Sequence, residues 1–279
     1  MKNVFLGGWV LSAALSCGFC GQPGTGEAVE CLLVPITPFS TSIHAQYAGT
    51  KKTALQMGSK TVKSQNWGGY AAFTGQKFPE FESVSGVRGE WKVPSVRPST
   101  QDSYSATWVG IDGYVNQTVE QIGTMQGWIS GHADYFTWFS MYPGPSYEIL
   151  GFPMNPNDKI GAEVSYVGGD VFELIIRNLT QGVYYVVPSS YTTVPGLQRS
   201  SAEWILEAPS GDSILPLAKF SPTTFSHCVA TIKGKSGKIS SSHWKNNRIV
   251  MVTANKTVKA KPSKLFHSGK SFKMTWHHQ

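Results

Sequence analysis

The feature that most narrows the fold is a series of short segments in which apolar and polar residues alternate, separated by turns rich in glycine and proline. Residues 163–167 and 171–175 are two such segments, and Gly168-Gly169-Asp170 joins them. Alternating segments around a glycine-rich turn predict a β-hairpin. The 29 Gly, 16 Pro and aromatic content of 12% are typical of many short strands joined by tight turns. No helical period competes with this pattern.

Eleven strand-like segments follow one another between Asn66 and Trp276, with no linker or internal repeat. They are residues 87–93, 105–111, 119–124, 135–141, 160–167, 171–178, 182–187, 202–207, 228–233, 248–252 and 271–276. The hydrophobic content of 41% is enough for a full core, and the size suits one domain of roughly 200 residues. We therefore predict an all-β fold, an antiparallel β-sandwich, as a single domain over residues 65–279.

The first 21 residues are typical of an export signal. Lys2 precedes an apolar run, residues 4–14, that is too short to span a bilayer, and small residues follow up to Gly21. Cys17 leaves a lipid-anchored alternative open, although Ala14 stands where a lipoprotein signal usually has Leu. No later stretch is long and apolar enough for a membrane helix. Secretion without a membrane span is therefore predicted.

Residues 22–64 form a second amino-terminal segment, rich in Thr, Gly and Pro and with poor periodicity. Four lysines, Lys51, Lys52, Lys60 and Lys63, cluster towards its end. Two interpretations stay open. The segment is either a pro-region whose basic end pairs with an acidic groove, or a flexible leader without an inhibitory role.

Three of the four cysteines, Cys17, Cys20 and Cys31, lie in this amino-terminal part. A body that begins near residue 65 keeps only Cys228, so it has no internal disulfide. Export permits disulfides, but a body with a large core does not require them. We expect Cys228 to be a buried, inert thiol.

Charge is divided unevenly along the chain. Residues 65–212 have seven Lys/Arg against 15 Asp/Glu, a net charge of −8, whereas the residues after Asp212 have 12 Lys/Arg and no acid. The basic residues are spread over strand-like sequence without a recognition helix or an RNA-binding signature, so no nucleic-acid partner is predicted. Solvated strand faces, or adhesion to an anionic surface such as a cell wall, explain the basic end more simply.

The segment SAEWILEAP has two carboxylates in a stretch otherwise suited to a buried strand. At period two, Trp204 and Leu206 point to one face of the strand. Glu203, Ile205 and Glu207 point to the other. Because charges are seldom left on a half-buried strand without a partner, we interpret the acidic face as the lining of a groove. The alternative is that both glutamates lie on the solvent face of an edge strand.

Several catalytic classes lack their motifs in this sequence. There is no His-Glu-x-x-His and no Cys-x-x-Cys after the leader, and the histidines are scattered or terminal, so no metal site is predicted. Gly-x-Ser-x-Gly, Asp-Thr-Gly and Asp-Ser-Gly are missing, which excludes the usual serine-hydrolase and aspartic-peptidase signatures. No glycine-rich phosphate loop precedes a helix, and no cofactor is predicted.

What remains is an ordered series of motifs. They are Asn66-Trp67-Gly68-Gly69-Tyr70, Trp91-Lys92-Val93-Pro94, Trp108-Val109-Gly110-Ile111-Asp112-Gly113, Glu120-Gln121-Ile122-Gly123, Trp138-Phe139-Ser140-Met141-Tyr142-Pro143, the 202–207 strand and Phe220-Ser221-Pro222. Each piece is moderately specific, and the order of the series is highly specific. From about Asn66 to Trp276 the sequence resembles the glutamic peptidase (eqolisin) family.

The resemblance implies a jelly-roll-like β-sandwich of two long, curved antiparallel sheets, with a catalytic glutamine and glutamate on the concave face. By motif position these residues are Gln121 and Glu207. Glu207 is chosen over Glu203 because it matches the second acid of the Ala-Glu-aromatic-Ile-x-Glu strand. The other cleft residues that the resemblance implies are Trp108, Asp112, Trp138 and Glu203.

Two positions depart from the family pattern. Ser140 stands two residues after Trp138, where an acid is expected, and Met125 stands four residues after Gln121, where Asp is expected. With fewer cleft acids, we expect activity to be lost at a higher pH than in relatives with both. The optimum should lie nearer the ordinary Glu pKa of about 4.3 than at the extreme acid end.

The two implied catalytic residues suit hydrolysis of a peptide bond without a metal. The reaction needs a base to activate water, a donor for the developing oxyanion and an acid for the leaving amine. Glu207 can act as base and then as acid, and Gln121 supplies an amide N–H that does not titrate. We predict a secreted, monomeric endopeptidase that acts on protein or peptide substrates.

A carbohydrate-binding β-sandwich is the alternative from a different class. Its candidate aromatic platforms are Trp67, Trp91, Trp108, Trp128 and Trp138. A glycosidase fits poorly, because at about 3.3 Å per residue Glu203 and Glu207 lie about 13 Å apart on one strand. Paired glycosidase carboxylates lie roughly 5 to 9.5 Å apart. A lectin-like module leaves the Gln121 and Glu207 motifs unexplained, and aromatic residues are more often core than platforms.

Overall fold

A computed structural model describes residues 17–21, 28–36, 60–75 and 79–279, and strands dominate these residues. The strands are β1 Cys17–Gly21, β2 Ala28–Pro35, β3 Lys60–Ser64, β4 Trp67–Phe73, β5 Val84–Lys92, β6 Ser103–Ile111, β7 Val119–Ile129, β8 His132–Tyr142, β9 Ser146–Leu150, β10 Lys159–Gly168, β11 Val171–Asn178, β12 Val183–Val186, β13 Ser201–Glu207, β14 Thr223–Ile232, β15 Lys235–Lys238, β16 Lys245–Val252, β17 Val258–Pro262 and β18 Phe272–Trp276. Within this described part of the chain, the helical elements are two 3₁₀ turns, Ser189–Tyr191 and His267–Gly269.

The strands form two packed layers. The first sheet has the order β3-β16-β4-β13-β6-β7-β8-β9-β2. The second has the order β17-β18-β14-β5-β10-β11-β12-β1, with β15 added to β14. Strands β5, β10 and β11 lie over β6, β7 and β13. The predicted β-sandwich is confirmed, and its pairs are antiparallel except for β3 with β16.

Strand pairing also passes from one layer to the other at both ends. Strand β16 pairs with β17 at one end, and β2 pairs with β1 at the other. Between the layers lies one large cluster of buried apolar side chains, the main core, which includes Trp91, Phe172 and Trp204. The indole Nε1 of Trp204 donates a hydrogen bond to the Arg88 carbonyl at 2.8 Å, so the buried polar atom is satisfied.

The predicted hairpin is present as β10 and β11. Gly168 pairs with Val171, which leaves a two-residue loop of Gly169 and Asp170 with φ values of 58° and 61°. Positive φ at both loop positions is the type I′ geometry, whose twist matches that of the flanking strands. Glycine adopts it without strain, and Asp tolerates it better than most residues.

All eleven predicted strand segments overlap strands of the structure. Among those that the pattern missed, β4 is central to the first sheet and all seven of its residues are buried. A strand covered on both faces has no alternation to detect. Strands β1, β2 and β3 lie in the amino-terminal part, where no strand was predicted. Residues 1–16 lie outside the described part, so the export signal over 1–21 stays a prediction.

Two cysteines have clear states. Cys228 is free and fully buried, as expected for an inert thiol, and burial raises the pKa of its thiol well above the usual value. Cys31, in the amino-terminal part, is disulfide-bonded. Among the described residues, no helix has the length and apolar character needed to cross a membrane.

Candidate active site

Strand β13 has the two faces that its alternation predicted. Trp204 and Leu206 belong to the main core, whereas Ile205 belongs to a second buried cluster together with Trp67 and Trp108. The edge-strand alternative is wrong, because β13 lies between β4 and β6. Both of its glutamates, Glu203 and Glu207, are fully buried. The name acid face is used below for the side of the first sheet to which these two glutamates point.

Glu207 is held by hydrogen bonds on both carboxylate oxygens. Trp108 Nε1 donates to Oε2 at 2.8 Å, and Asn66 Nδ2 donates to Oε1 at 3.3 Å. Burial raises the pKa of Glu207 well above its usual value, and hydrogen bonds from Trp108 and Asn66 partly offset this shift. Trp67 Nε1 also stabilises the charged form, although it does not reach hydrogen-bonding geometry.

The sequence did not assign a role to Asn66, although it opens the first family motif. Its Oδ1 accepts a hydrogen bond from Ser64 Oγ at 3.0 Å, which orients the amide so that Nδ2 faces Glu207. Ser64 Oγ also accepts from the Trp67 backbone N–H at 3.1 Å. The end of β3 therefore helps to position the residues around Glu207.

Gln121 lies on the acid face, and its side-chain amide has no hydrogen-bond partner in the described part of the chain. It is fully buried, and neither its Nε2 nor its Oε1 has a hydrogen-bond partner among the described residues. Two further polar groups on this face also lack a hydrogen-bond partner in the described part of the chain: the hydroxyl of Ser140 and Nε1 of Trp138. Ser140 pairs with Gln121 across β7 and β8. Buried polar groups are nearly always paired in native proteins, so a group of orphans on one face indicates a site completed by a ligand or water.

The register of the first sheet fixes how these side chains are arranged. Gln121 pairs with Gly110, and Gly110 pairs with Glu203, so Gln121 and Glu203 lie in one row, two strands or about 10 Å apart. Glu207 lies four residues further along β13, level with Ala106 and Met125. The register thus brings Gln121 closer to Glu203 than to Glu207 along the backbone.

Trp108 occupies the row between Gln121 and Glu207. A Cβ added at Gly110 would lie 2.9 Å from Cζ3 of Trp108 and 3.2 Å from Cβ of Gln121. Glycine at this position therefore makes room for the indole beside the glutamine. The opposite edge of the same indole donates its N–H to Glu207. The indole of Trp108 therefore lies between the two implied catalytic residues and forms the base of the site.

Asp112 has a structural task that its motif did not indicate. Its carboxylate accepts hydrogen bonds from the backbone N–H of Arg199 at 2.6 Å, from the backbone N–H of Ser200 at 2.7 Å and from Ser200 Oγ at 2.8 Å. The Asp112 N–H donates to the Ser201 carbonyl at 2.9 Å. These bonds anchor the start of β13, so Asp112 acts on the site through the strand that carries both glutamates.

Glu120 precedes Gln121 in the Glu-Gln-Ile-Gly motif, and the sequence assigns it no function. It is fully buried and pairs with Ile111 and Met141, two residues of the main core. Neither carboxylate oxygen has a hydrogen-bond partner within the described part of the chain. Burial, then the charges of Asp112 and Glu203, raise the pKa of Glu120 well above its usual value, and Arg199 partly opposes the shift.

Glu203 is the third buried acid of this region. Both of its carboxylate oxygens lack a hydrogen-bond partner within the described residues. Burial raises its pKa well above the usual value, the Ser201 hydroxyl lowers it, and the charge of Asp112 raises it again. The Ser201 hydroxyl is near enough to influence the charge but does not meet hydrogen-bonding geometry. In the described residues, no group of three or more His, Cys, Asp or Glu could hold a metal ion.

Comparison with known proteins places this geometry in a family. Aspergillopepsin-2 of Aspergillus niger is 27% identical over 211 residues, which cover 67% of this chain and 72% of that protein. Among solved structures, scytalido-glutamic peptidase with a transition state analog inhibitor has a TM-score of 0.61 at 23% identity, covering 76% of this chain and 98% of that one. Aspergilloglutamic peptidase from Aspergillus niger has a TM-score of 0.53 at 25% identity, covering 63% and 99%.

The model of the peptidase A4 family matches residues 65–273, the range that contains Gln121, Glu203 and Glu207 and both sheets of the sandwich except β1, β2 and β3. The match covers well over half of the chain. This protein belongs to the peptidase A4, or eqolisin, family of peptide-bond hydrolases.

Proposed function

We propose that the protein is a secreted, monomeric acid endopeptidase that cleaves peptide bonds with Gln121 and Glu207 and without a metal ion. The observation that supports this most strongly is the acid face, where a hydrogen-bonded carboxylate and an unpartnered amide flank one indole. The carboxylate is oriented for proton transfer, and the amide is free to bind a group that the protein does not supply. Peptide hydrolysis uses both properties.

In the proposed mechanism, ionised Glu207 takes a proton from a water molecule as the water oxygen attacks the carbonyl carbon of the scissile bond. Gln121 Nε2 donates a hydrogen bond to the carbonyl oxygen as it becomes negative. Glu207 then gives the proton to the amide nitrogen, the C–N bond breaks and the amine leaves. One such oxyanion donor typically contributes about 3 to 4 kcal/mol to transition-state stabilisation.

The proposal also covers the organisation of the chain. Residues 1–21 would be the export signal, 22–64 the pro-region and 65–279 the peptidase domain. Ile36 packs against the same buried cluster as Trp108, and Gln121 and Glu207 have no exposed surface while the amino-terminal segment is present. These two observations favour a pro-region over a leader without contacts, because substrate needs access to both side chains.

The carbohydrate-binding alternative loses part of its support. Trp91 belongs to the main core between the two sheets, where it cannot stack on a sugar ring. Trp67, Trp108 and Trp138 lie on the acid face and are as buried as Gln121 and Glu207, so their burial does not separate the two functions. Of the five candidate platforms, Trp128 alone is partly exposed. Hydrolysis is the better-supported function, because a carbohydrate-binding module leaves the hydrogen-bonded Glu207 and the unpartnered amide of Gln121 unexplained.

The test is incubation of the processed protein with a denatured protein substrate across pH 2 to 7, with products identified by mass spectrometry. New internal termini are expected, and they should persist with chelators, with serine- and cysteine-directed reagents and with pepstatin. Activity that a chelator abolishes and zinc restores would assign the protein to another class. Retention of glycans without any cleavage would revive the lectin alternative.

The pH profile is expected to reflect the missing cleft acids. Glu207 must be ionised to act as base, and burial raises its pKa, so activity should fall as the pH drops through a value above the ordinary pKa of a Glu side chain. A protonated acid nearby would donate a hydrogen bond and lower that pKa. Ser140→Glu and Met125→Asp should therefore each move the acid limb of the kcat/KM profile downward.

The strand register predicts which of the two substitutions shifts the acid limb of the kcat/KM profile further. Met125 lies in the row of Glu207 and Ser140 in the row of Gln121, so Met125→Asp should have the greater effect. The measurement is the kcat/KM profile of each variant from pH 2 to 7, with folding checked by circular dichroism. An unchanged acid limb in both folded variants would show that these positions do not set the working pH.

A further inference from the structure

Strands β1 and β2 lie where the two sheets would otherwise end in unpaired edges. Strand β2 extends the first sheet by pairing with β9, from Leu32 with Leu150 to Pro35 with Tyr147. The next residue, Ile36, donates its N–H to the Ser146 carbonyl at 2.9 Å. The pairing thus continues to the end of the described segment.

Strand β1 closes the second sheet. It pairs with β12 through Cys20 with Tyr185 and Gly21 with Tyr184. Strands β1 and β2 also pair with each other over five positions, from Cys17 with Leu32 to Gly21 with Ala28. Together they join the two layers at one side of the sandwich, and we call β1 and β2 the edge clasp.

Side chains of β2 complete the main core. Cys31 is 0% exposed and Leu33 is 4% exposed, and both belong to the apolar cluster between the layers. Leu32 and Val34, which alternate with them, are partly exposed. Cys31 is also disulfide-bonded. Burial of an apolar side chain stabilises the strand, so the strand is held by more than its backbone pairing.

The strands that the clasp covers support the candidate site. Strand β9 pairs with β8, which carries Trp138 and Ser140 on the acid face. Without β2, the five-residue β9 would be an unprotected edge, and short unpaired edges open easily and pair with other chains. The family model begins at residue 65, so the clasp lies outside the part of the chain that the family shares.

We propose that the edge clasp is a lasting part of the folded protein, which stays bound when the chain is cut between Ile36 and Lys60. A pro-region cleaved in that interval would leave a two-piece molecule, a short amino-terminal piece held on the sandwich body. The clasp changes one boundary of the organisation proposed above, because an export signal that ended at position 21 would remove β1. With the clasp retained, the export signal ends before Cys17. The inference depends on contacts outside the catalytic residues and does not require that the proposed activity be correct.

Digestion of the uncleaved protein with trypsin tests the proposal. The chain has no Lys or Arg between Lys2 and Lys51, so trypsin cannot separate β1 from β2. After digestion under native conditions, the amino-terminal piece should elute with the body in gel filtration and separate from it only in denaturant. A piece that elutes alone under native conditions would overturn the proposal.

A pair of variants provides a second test that needs no cleavage. Leu33→Asp places a charge in the main core, whereas Val34→Asp places the same charge on the partly exposed side of the same strand. In hydrogen–deuterium exchange, Leu33→Asp should speed exchange at least about tenfold in β9 and β12, because the clasp detaches. Val34→Asp should leave both strands as protected as in the parent. Equal protection of β9 and β12 in both variants would contradict the proposal.

Discussion

Glu207→Gln is expected to lower kcat by about 10³-fold or more, because the substituted amide cannot take a proton from water. Gln121→Ala should lower kcat by about 10²- to 10³-fold through loss of the oxyanion donor. In the proposed mechanism the two residues act in the same transition state, so the double variant should be far less impaired than the product of the single effects. The measurement is kcat with a peptide substrate, for variants whose circular dichroism matches that of the parent.

Glu203→Gln is the informative control for the assignment. It neutralises the second acid of the same strand, in the row of Gln121, and leaves the hydrogen bonds from Trp108 and Asn66 to Glu207 in place. We expect it to retain most of the activity. If Glu203→Gln is inactive and folded Glu207→Gln is active, the strand is correctly identified and the residue is not.

Glu120→Gln is expected to stabilise the protein at neutral pH. Burial and the charges of Asp112 and Glu203 raise the pKa of Glu120 in the folded state, so the folded protein binds a proton that the unfolded chain releases. The stabilisation is complete below the unfolded pKa of about 4.3, and it is lost as the pH rises through the raised folded value. At pH 7 the folded protein must either keep that proton or bury a charge without a partner.

The measurement is the midpoint of thermal unfolding, Tm, at pH 4 and at pH 7. The Tm of the parent should be lower at pH 7 than at pH 4. Glu120→Gln should raise the Tm at pH 7 by about 4 °C or more, since a gain of 1 kcal/mol in stability raises the Tm of a domain of this size by about 2 to 4 °C. Glu173→Gln, which removes an exposed acid on β11, is the matched control and should change little. A Tm difference between pH 4 and pH 7 that Glu120→Gln leaves intact would contradict this role of Glu120 and leave Glu148, Glu203 and Glu207 as the acids with raised pKa values.

The sequence predicted the elements in which alternation is visible. Half-buried strands such as β10 and β11, and the turn at Gly169 and Asp170, were identifiable because side-chain direction and turn conformation are local properties. Strand β4 was missed because both of its faces are buried. Strand β2 was missed because its register depends on β9, more than a hundred residues away.

For the candidate site, the sequence predicted which side chains share a face, but not the contacts that the fold creates between distant residues. Alternation alone separated Glu203 and Glu207 from the core side of β13, and the motif series singled out Gln121, which the register places on the same face. The anchoring role of Asp112 could not be read from sequence, since it depends on backbone N–H groups of Arg199 and Ser200 that only the fold brings near. The burial of Glu120 also follows from tertiary contacts, because its local pattern does not differ from that of a solvated strand residue.

The hydrogen bond between Trp108 and Glu207 has a spectroscopic consequence. The emission of an indole depends on the electric field around its ring, and Nε1 of Trp108 lies 2.8 Å from the carboxylate oxygen that gains or loses charge. Protonation of Glu207 therefore alters the light that Trp108 emits. The protein therefore contains an intrinsic optical probe beside the carboxylate that is proposed to activate water.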